Sequence, residues 1–119
     1  MPYSIKRLIP ILTLLSALTL TGLASFAAQA QNKGDELMLE MHQASRKNDK
    51  VRLAALLPQV RGHVLEPLAA YWELRARLDT APHSEIRSFL DAYAGSYYED
   101  RLRNDWLLQL GKRRDWATF

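Results

Sequence analysis

The sequence predicts an all-α chain of antiparallel helical hairpins behind a secretory leader. Three observations carry that expectation. Apolar residues recur at helical spacing, most clearly at Ile86, Phe89, Leu90 and Tyr93, which fall at i, i+3, i+4 and i+7. Turn formers interrupt the periodic stretches at Asn48-Asp49, Pro58, Pro82 and Ala94-Gly95. No window alternates apolar and polar residues, so no strand is expected. The 119 residues allow at most one small domain, and a hydrophobic share of 48% is ordinary for a globular chain. The absence of cysteine excludes a disulfide framework, a thiolate metal site, a cysteine nucleophile and lipoprotein acylation.

Residues 1–30 read as a secretory signal peptide. Lys6 and Arg7 form a positive start, Leu8 to Leu23 carry no charge, and Ala28-Gln29-Ala30 places small residues where a signal peptidase reads, with cleavage expected after Ala30. An uncleaved anchor would need the apolar stretch to run on to Ala28, because a spanning helix takes roughly 20 residues. Cleavage removes Lys6 and Arg7 and lowers the formal charge from +3 to +1. That near balance, together with export, argues against a nucleic-acid partner.

Residues 31–34 read as a flexible junction, and residues 35–119 as the helical-hairpin region. A first helix is expected from Asp35, with Leu37, Met38, Met41 and Ala44 on one face. Asn48-Asp49 makes a turn and a cap for a second helix over 50–57, whose Val51, Ala54, Ala55 and Leu57 are available for burial and which Pro58 ends. Residues 59–63 read as a loop. Pro67 suits the first turn of a third helix, carrying Leu68, Tyr71, Trp72 and Leu78. After the break at 79–83 comes the Ile86–Tyr93 helix. Ser96-Tyr97-Tyr98-Glu99 then forms a capping box ahead of Leu102, Trp106, Leu107 and Leu110, with Gly111 as a C-terminal cap. Residues 113–119 read as the opening of one more helix. The hairpins 35–57 and 67–93, and a third beginning at 97, recur at roughly 30-residue steps, the range of helical arrays whose units are stable only when stacked. A chain that ends inside a larger architecture is therefore expected.

The chemistry-bearing residues point to no site. His42, His63 and His83 lie far apart in sequence and lack metal-ligand spacing, so each is expected to be solvated or to line a cap. Ser84 and Ser96 read as helix-start residues. Glu66, Glu73, Glu85, Glu99 and Asp100 are candidates for glycoside acid–base chemistry by type only. Glu73 with Arg77 reads as a surface i,i+4 pair, and Glu66, Glu99 and Asp100 suit helix starts. Arg101, Arg103, Lys112, Arg113 and Arg114 form a basic cluster, read as a solvated helix end. The aromatic residues could stack on sugars, but their helical spacing favours core packing.

One resemblance adds to this reading. The stretches His63–Asp79 and Ser84–Phe119 resemble the start of the soluble lytic murein transglycosylases of Gram-negative bacteria. The resemblance rests on Pro67, Tyr71 and Trp72, on Phe89, Leu90 and Tyr93, on the run Arg101–Leu107, and on Arg114-Asp115-Trp116. It implies the opening of a superhelical, U-shaped helical array in a periplasmic enzyme that acts on peptidoglycan glycan strands. In that family a distant C-terminal domain uses one Glu, in a Glu-Ser pair, to cleave the bond from N-acetylmuramic acid to N-acetylglucosamine, with closure of a 1,6-anhydro ring. This chain has no Glu-Ser pair (Ser84-Glu85 is the reverse) and no Gly-Leu-Met-Gln run. No catalytic, cofactor-binding or metal residue is carried over, no cofactor is expected, and the chain alone is expected to be inactive. The alternatives are a stand-alone periplasmic helical module that binds peptidoglycan or a cell-wall enzyme, and a membrane-anchored accessory subunit.

Overall fold

The computed structural model describes residues 9–119, with side chains from residue 24 onward. Lys6 and Arg7 of the expected leader lie outside the described residues. Among the described residues the chain is all-α: α1 (Ile9–Arg46), α2 (Lys50–Leu56), a 3₁₀ turn (Leu57–Val60), α3 (Glu66–Ala76), α4 (His83–Ala92) and α5 (Tyr97–Arg113). Two units are distinct, one up to Lys33 and one from Gly34 to Phe119. In the first, every residue from 24 to 33 is exposed. Where side chains are described, no helix is long and apolar enough to cross a membrane; the apolar stretch Leu8–Leu23 lies outside that range.

Residues 31–34 are helical rather than an irregular junction, and Asp35 lies inside α1 rather than at its start. The segment holds no proline, and one glycine weakens a helix by only about 1 kcal/mol. Gly34 has a packing reason to be glycine. A Cβ there would stand 3.0 Å from Cδ2 of His63, which the loop before α3 lays against the helix.

The unit from Gly34 to Phe119 is built on two apolar clusters. Met38, Met41 and Ala44 of α1 meet Leu53 and Leu56 of α2, Val60 of the 3₁₀ turn and Ala69 of α3. Tyr71, Leu74 and Leu78 meet Ala81, then Ile86, Phe89 and Leu90 of α4, and Leu102, Trp106 and Leu110 of α5. Helix α3 contributes to both clusters, and Trp72 packs against each of them. No residue of α3 is exposed, as expected of a helix apolar on more than one side. Helix α3 packs on α2, the 3₁₀ turn and α5, while α4 packs on α5. The expected 67–93 pair is thus completed by α5 rather than standing as a separate hairpin.

Most of the apolar faces expected for α1, α4 and α5 are buried, with Met41, Ile86 and Leu102 fully inaccessible, while Leu37, Tyr93 and Leu107 are half-buried. The expectation for α2 needs correction. Val51 is 81% exposed, and Ala54 and Ala55 are also exposed, while Leu53 and Leu56 form the core face. Leu53, Leu56 and Val60 follow one helical stripe (i, i+3, i+7), and that stripe carries more apolar volume than the alanines. Helix α2 ends just before Pro58, but residues 59 and 60 of the expected loop continue as the 3₁₀ turn, in which Pro58 is the second residue and its missing N–H goes unneeded.

Helix ends follow from local chemistry. Asp49 caps α2, its Oδ1 accepting from the N–H of Arg52 at 3.1 Å. Ser96 caps α5 through the N–H of Glu99. The Glu99 carboxylate accepts from Gly95 N–H at 2.6 Å, one residue earlier than the usual capping-box partner. Glu66 repeats the device at α3, accepting from Gly62 N–H at 2.9 Å. Gly95 needs its glycine, because its φ is +79°. The cap of α5 is not Gly111. The helix runs two residues further, to Arg113, and Arg114 takes the left-handed conformation at φ 57°. The N–H of Arg114 then bonds Gly111 C=O and that of Asp115 bonds Leu110 C=O, a Schellman closure. Asn48 closes α1 in the same way, with Asp49 N–H on Ala44 C=O. After α5, Asp115 Oδ1 accepts from Thr118 N–H and its carbonyl from Phe119 N–H, making one turn.

The left-handed positions give opposite expectations in denaturant melts of the purified chain. Gly95→Ala destabilises by about 1 kcal/mol, since open space around the new Cβ leaves only the backbone cost. Arg114→Gly stabilises by about 0.5–1 kcal/mol. Equal midpoints for either variant and the wild type would contradict this account.

Candidate functional site

The polar side chains form two inter-helix networks. The first centres on Tyr71, which is buried on α3. Its hydroxyl donates to Asp105 Oδ2 on α5 at 2.6 Å. Arg75, one turn along α3, lies over the Tyr71 ring at 5.2 Å and donates to Ser45 Oγ on α1 at 2.7 Å. One chain of contacts therefore ties α1, α3 and α5. Burial, reinforced by the Asp105 acceptor, raises the Tyr71 phenol above its ordinary value.

The second network centres on Arg77. Its guanidinium donates to Glu73 from Nε at 2.5 Å and Nη2 at 3.1 Å, and to Glu85 at the start of α4 from Nη1 at 2.8 Å and from Nη2. Glu73 is only 9% exposed, so the Glu73–Arg77 pair is a semi-buried clamp across the α3–α4 turn, not the expected surface pair. The planar fork of arginine suits two bidentate carboxylates at once. The pair of carboxylates raises the Arg77 pKa, and the guanidinium lowers that of Glu85.

The carboxylates considered for acid–base chemistry are thereby placed. Glu66 and Glu99 hold glycine N–H groups at helix starts, Glu73 and Glu85 hold Arg77, and Asp100 sits in the first turn of α5. Glu99 is held below the ordinary carboxylate range, first by Gly95 N–H and then by Arg103. A general acid for glycoside cleavage needs the opposite shift to that of Glu85 and Glu99.

The three histidines lie apart. His42 lies against Trp72 and His83 against Trp106. His63 accepts from Leu65 N–H at its Nδ1 (2.9 Å), which leaves Nε2 to donate to Asp35 at 2.7 Å. Among the described residues no group of three His, Asp or Glu side chains could hold a metal ion. Ser96 is a helix cap, whereas Ser84 is the second residue of α4, after Pro82 at the cap position.

The basic cluster is spread along α5 and its end, and three of its residues have partners of their own. Arg101 lies over the Tyr97 ring at 5.9 Å, Arg103 pairs with Glu99 at 2.6 Å, and Arg113 donates to the carbonyl of Asp79. Along α5, Arg101 and Arg113 are about 18 Å apart at 1.5 Å per residue. A surface depression of about 180 Å³ near the α1–α2 turn is lined by Glu40, Gln43, Ala44, Lys47, Asp49 and Arg52. Its charges are of both signs. The most exposed apolar groups of the second unit include Val51, Val64, Leu39, Tyr97 and Leu108, with Trp116 and Phe119 after α5. Comparison with protein-family profiles, curated proteins and solved structures finds no match to this chain.

Two residues central to these networks, Asp105 and Ser45, carry no signal in the sequence beyond their type.

Arg77→Met, which keeps the apolar stem but strands Glu73, is expected to cost about 2–3 kcal/mol in denaturant melts. The depressed pKa of Glu85 means that its stabilisation is present above the unfolded carboxylate value of roughly 4.3 and is lost as pH falls through its lower folded value. Glu85→Gln should therefore be less stable than wild type near pH 6, with the gap closing on acidification. A gap independent of pH would contradict the pairing.

Proposed function

We propose that this chain is the N-terminal helical segment of a periplasmic peptidoglycan lytic transglycosylase, exported behind a cleaved leader at residues 1–30. The observation that carries the reading is where the resemblance-bearing residues lie. Tyr71, Phe89, Leu90, Leu102 and Trp106 are buried in one cluster, with Trp72 and Tyr93 packed against it, so the apolar part of the resemblance rests on residues that define the packing, while Trp116 stays exposed. Helix α3, covered on two faces, and α5, with Tyr97 and Leu108 exposed, also suit an array in which each helix layer is covered by the next. On this reading the segment is architectural. It contributes helices to the wall of the array, and the acid–base Glu belongs to another part of the enzyme. The substrate is the glycan strand of peptidoglycan.

A stand-alone binding module needs Arg113–Phe119 to dock back on the last hairpin. Arg113 does reach the Asp79 carbonyl, but Trp116 and Phe119 pack on each other and stay 65% and 59% exposed. The array reading accounts better for those rings.

The test is the intact mass of the native product, captured with an antibody against residues 34–119. The expected result is a protein several times larger that releases 1,6-anhydro muropeptides from purified peptidoglycan, while the present chain alone releases none. A native product no larger than this chain, or anhydro products released by this chain alone, would overturn the proposal.

A further inference from the structure

We infer that the exported chain acquires a blocked N-terminus: after cleavage behind Ala30, Gln31 cyclises to pyroglutamate. The inference rests on the export reading above, because only cleavage at that bond makes Gln31 the first residue. Cleavage one residue to either side would expose Ala30 or Asn32, and neither side chain closes this five-membered ring.

The surroundings of Gln31 permit the reaction. Gln31, Asn32 and Lys33 are exposed, and the compact unit begins only at Gly34, so ring closure disturbs no core packing. Residues 31–33 are helical, and the first N–H groups of a helix have no partner within it. A new amine at residue 31 is therefore held by no ladder hydrogen bond. A charged ammonium at that point also faces the positive end of the helix dipole, and the neutral lactam removes this repulsion.

The chemistry needs no further reactant. An α-amine has a pKa of roughly 7.7–8.0, so part of it is unprotonated at neutral pH. Its nitrogen attacks Cδ of the Gln31 carboxamide. The new N–Cδ bond forms, the Cδ–Nε2 bond breaks, and Nε2 leaves as ammonia with the proton lost by the amine. No atom is oxidised or reduced. The product has no free α-amine, so it resists aminopeptidases and stepwise N-terminal sequencing.

The test is mass spectrometry of the N-terminal peptide from the full gene product, expressed with its leader in an exporting Gram-negative host. The purified protein is incubated at neutral pH before digestion. The expected peptide begins at residue 31, is lighter than the free-glutamine form by one ammonia, resists stepwise sequencing, and becomes sequenceable after pyroglutamyl aminopeptidase treatment. A peptide that begins at Gln31 and keeps its free amine overturns this inference but leaves the export reading standing. A peptide that begins at a nearby residue such as Ala30 or Asn32 overturns this inference but not export, and one that keeps the leader overturns both.

Discussion

The unit from Gly34 to Phe119 depends on α3 being covered on two sides. A single amphipathic helix buries one stripe, and two such helices make only a thin core. Here Ala69 faces the α1–α2 cluster while Tyr71 and Leu74 face the α4–α5 cluster, with Trp72 touching both. The two clusters become one folded unit because they share this helix. The side chains of α3 that carry charge are drawn into the same role. Glu73 is nearly inaccessible, and Arg75 runs from the Tyr71 ring to Ser45.

Polar chemistry in this chain is spent on joints. Two glutamates each take a glycine N–H four residues before them at the start of a helix, and two Schellman closures end α1 and α5. Arg77 clamps the α3–α4 turn between two carboxylates, and Arg113 ties the end of α5 to the carbonyl of Asp79. Each satisfies backbone groups or charges that a short-helix fold would otherwise leave unpaired. On the proposed reading this segment is architectural, with the chemistry assigned to another part of a larger enzyme.

Much of the fold was legible because helical packing is local. The stripes Met38–Met41–Ala44, Ile86–Phe89–Leu90 and Leu102–Trp106–Leu110 are spaced by the helix itself, and each is buried. The cap at Ser96 was also legible, since its partners lie within three residues. The reading was poorer where neighbours compete. In α2 both Val51-Ala54-Ala55 and Leu53-Leu56 offer an apolar face, and only contact with α1 and α3 selects the leucines. Gly111 looked like a terminus, yet Leu110 is still buried in the α3–α5 cluster and the helix continues until Arg114 turns left-handed.

The sequence by itself determined the all-α class, the positions of most helices and the residues of three core stripes, because these depend on side-chain period and turn chemistry within one or two turns. Tertiary structure alone decided that Glu73 is buried, that Arg77 reaches Glu85, that Asp105 meets Tyr71 across 34 positions of the chain, and that Gly34 makes room for His63. Those contacts join elements whose relative placement is set by how the two clusters share α3, and no local periodicity encodes that distance.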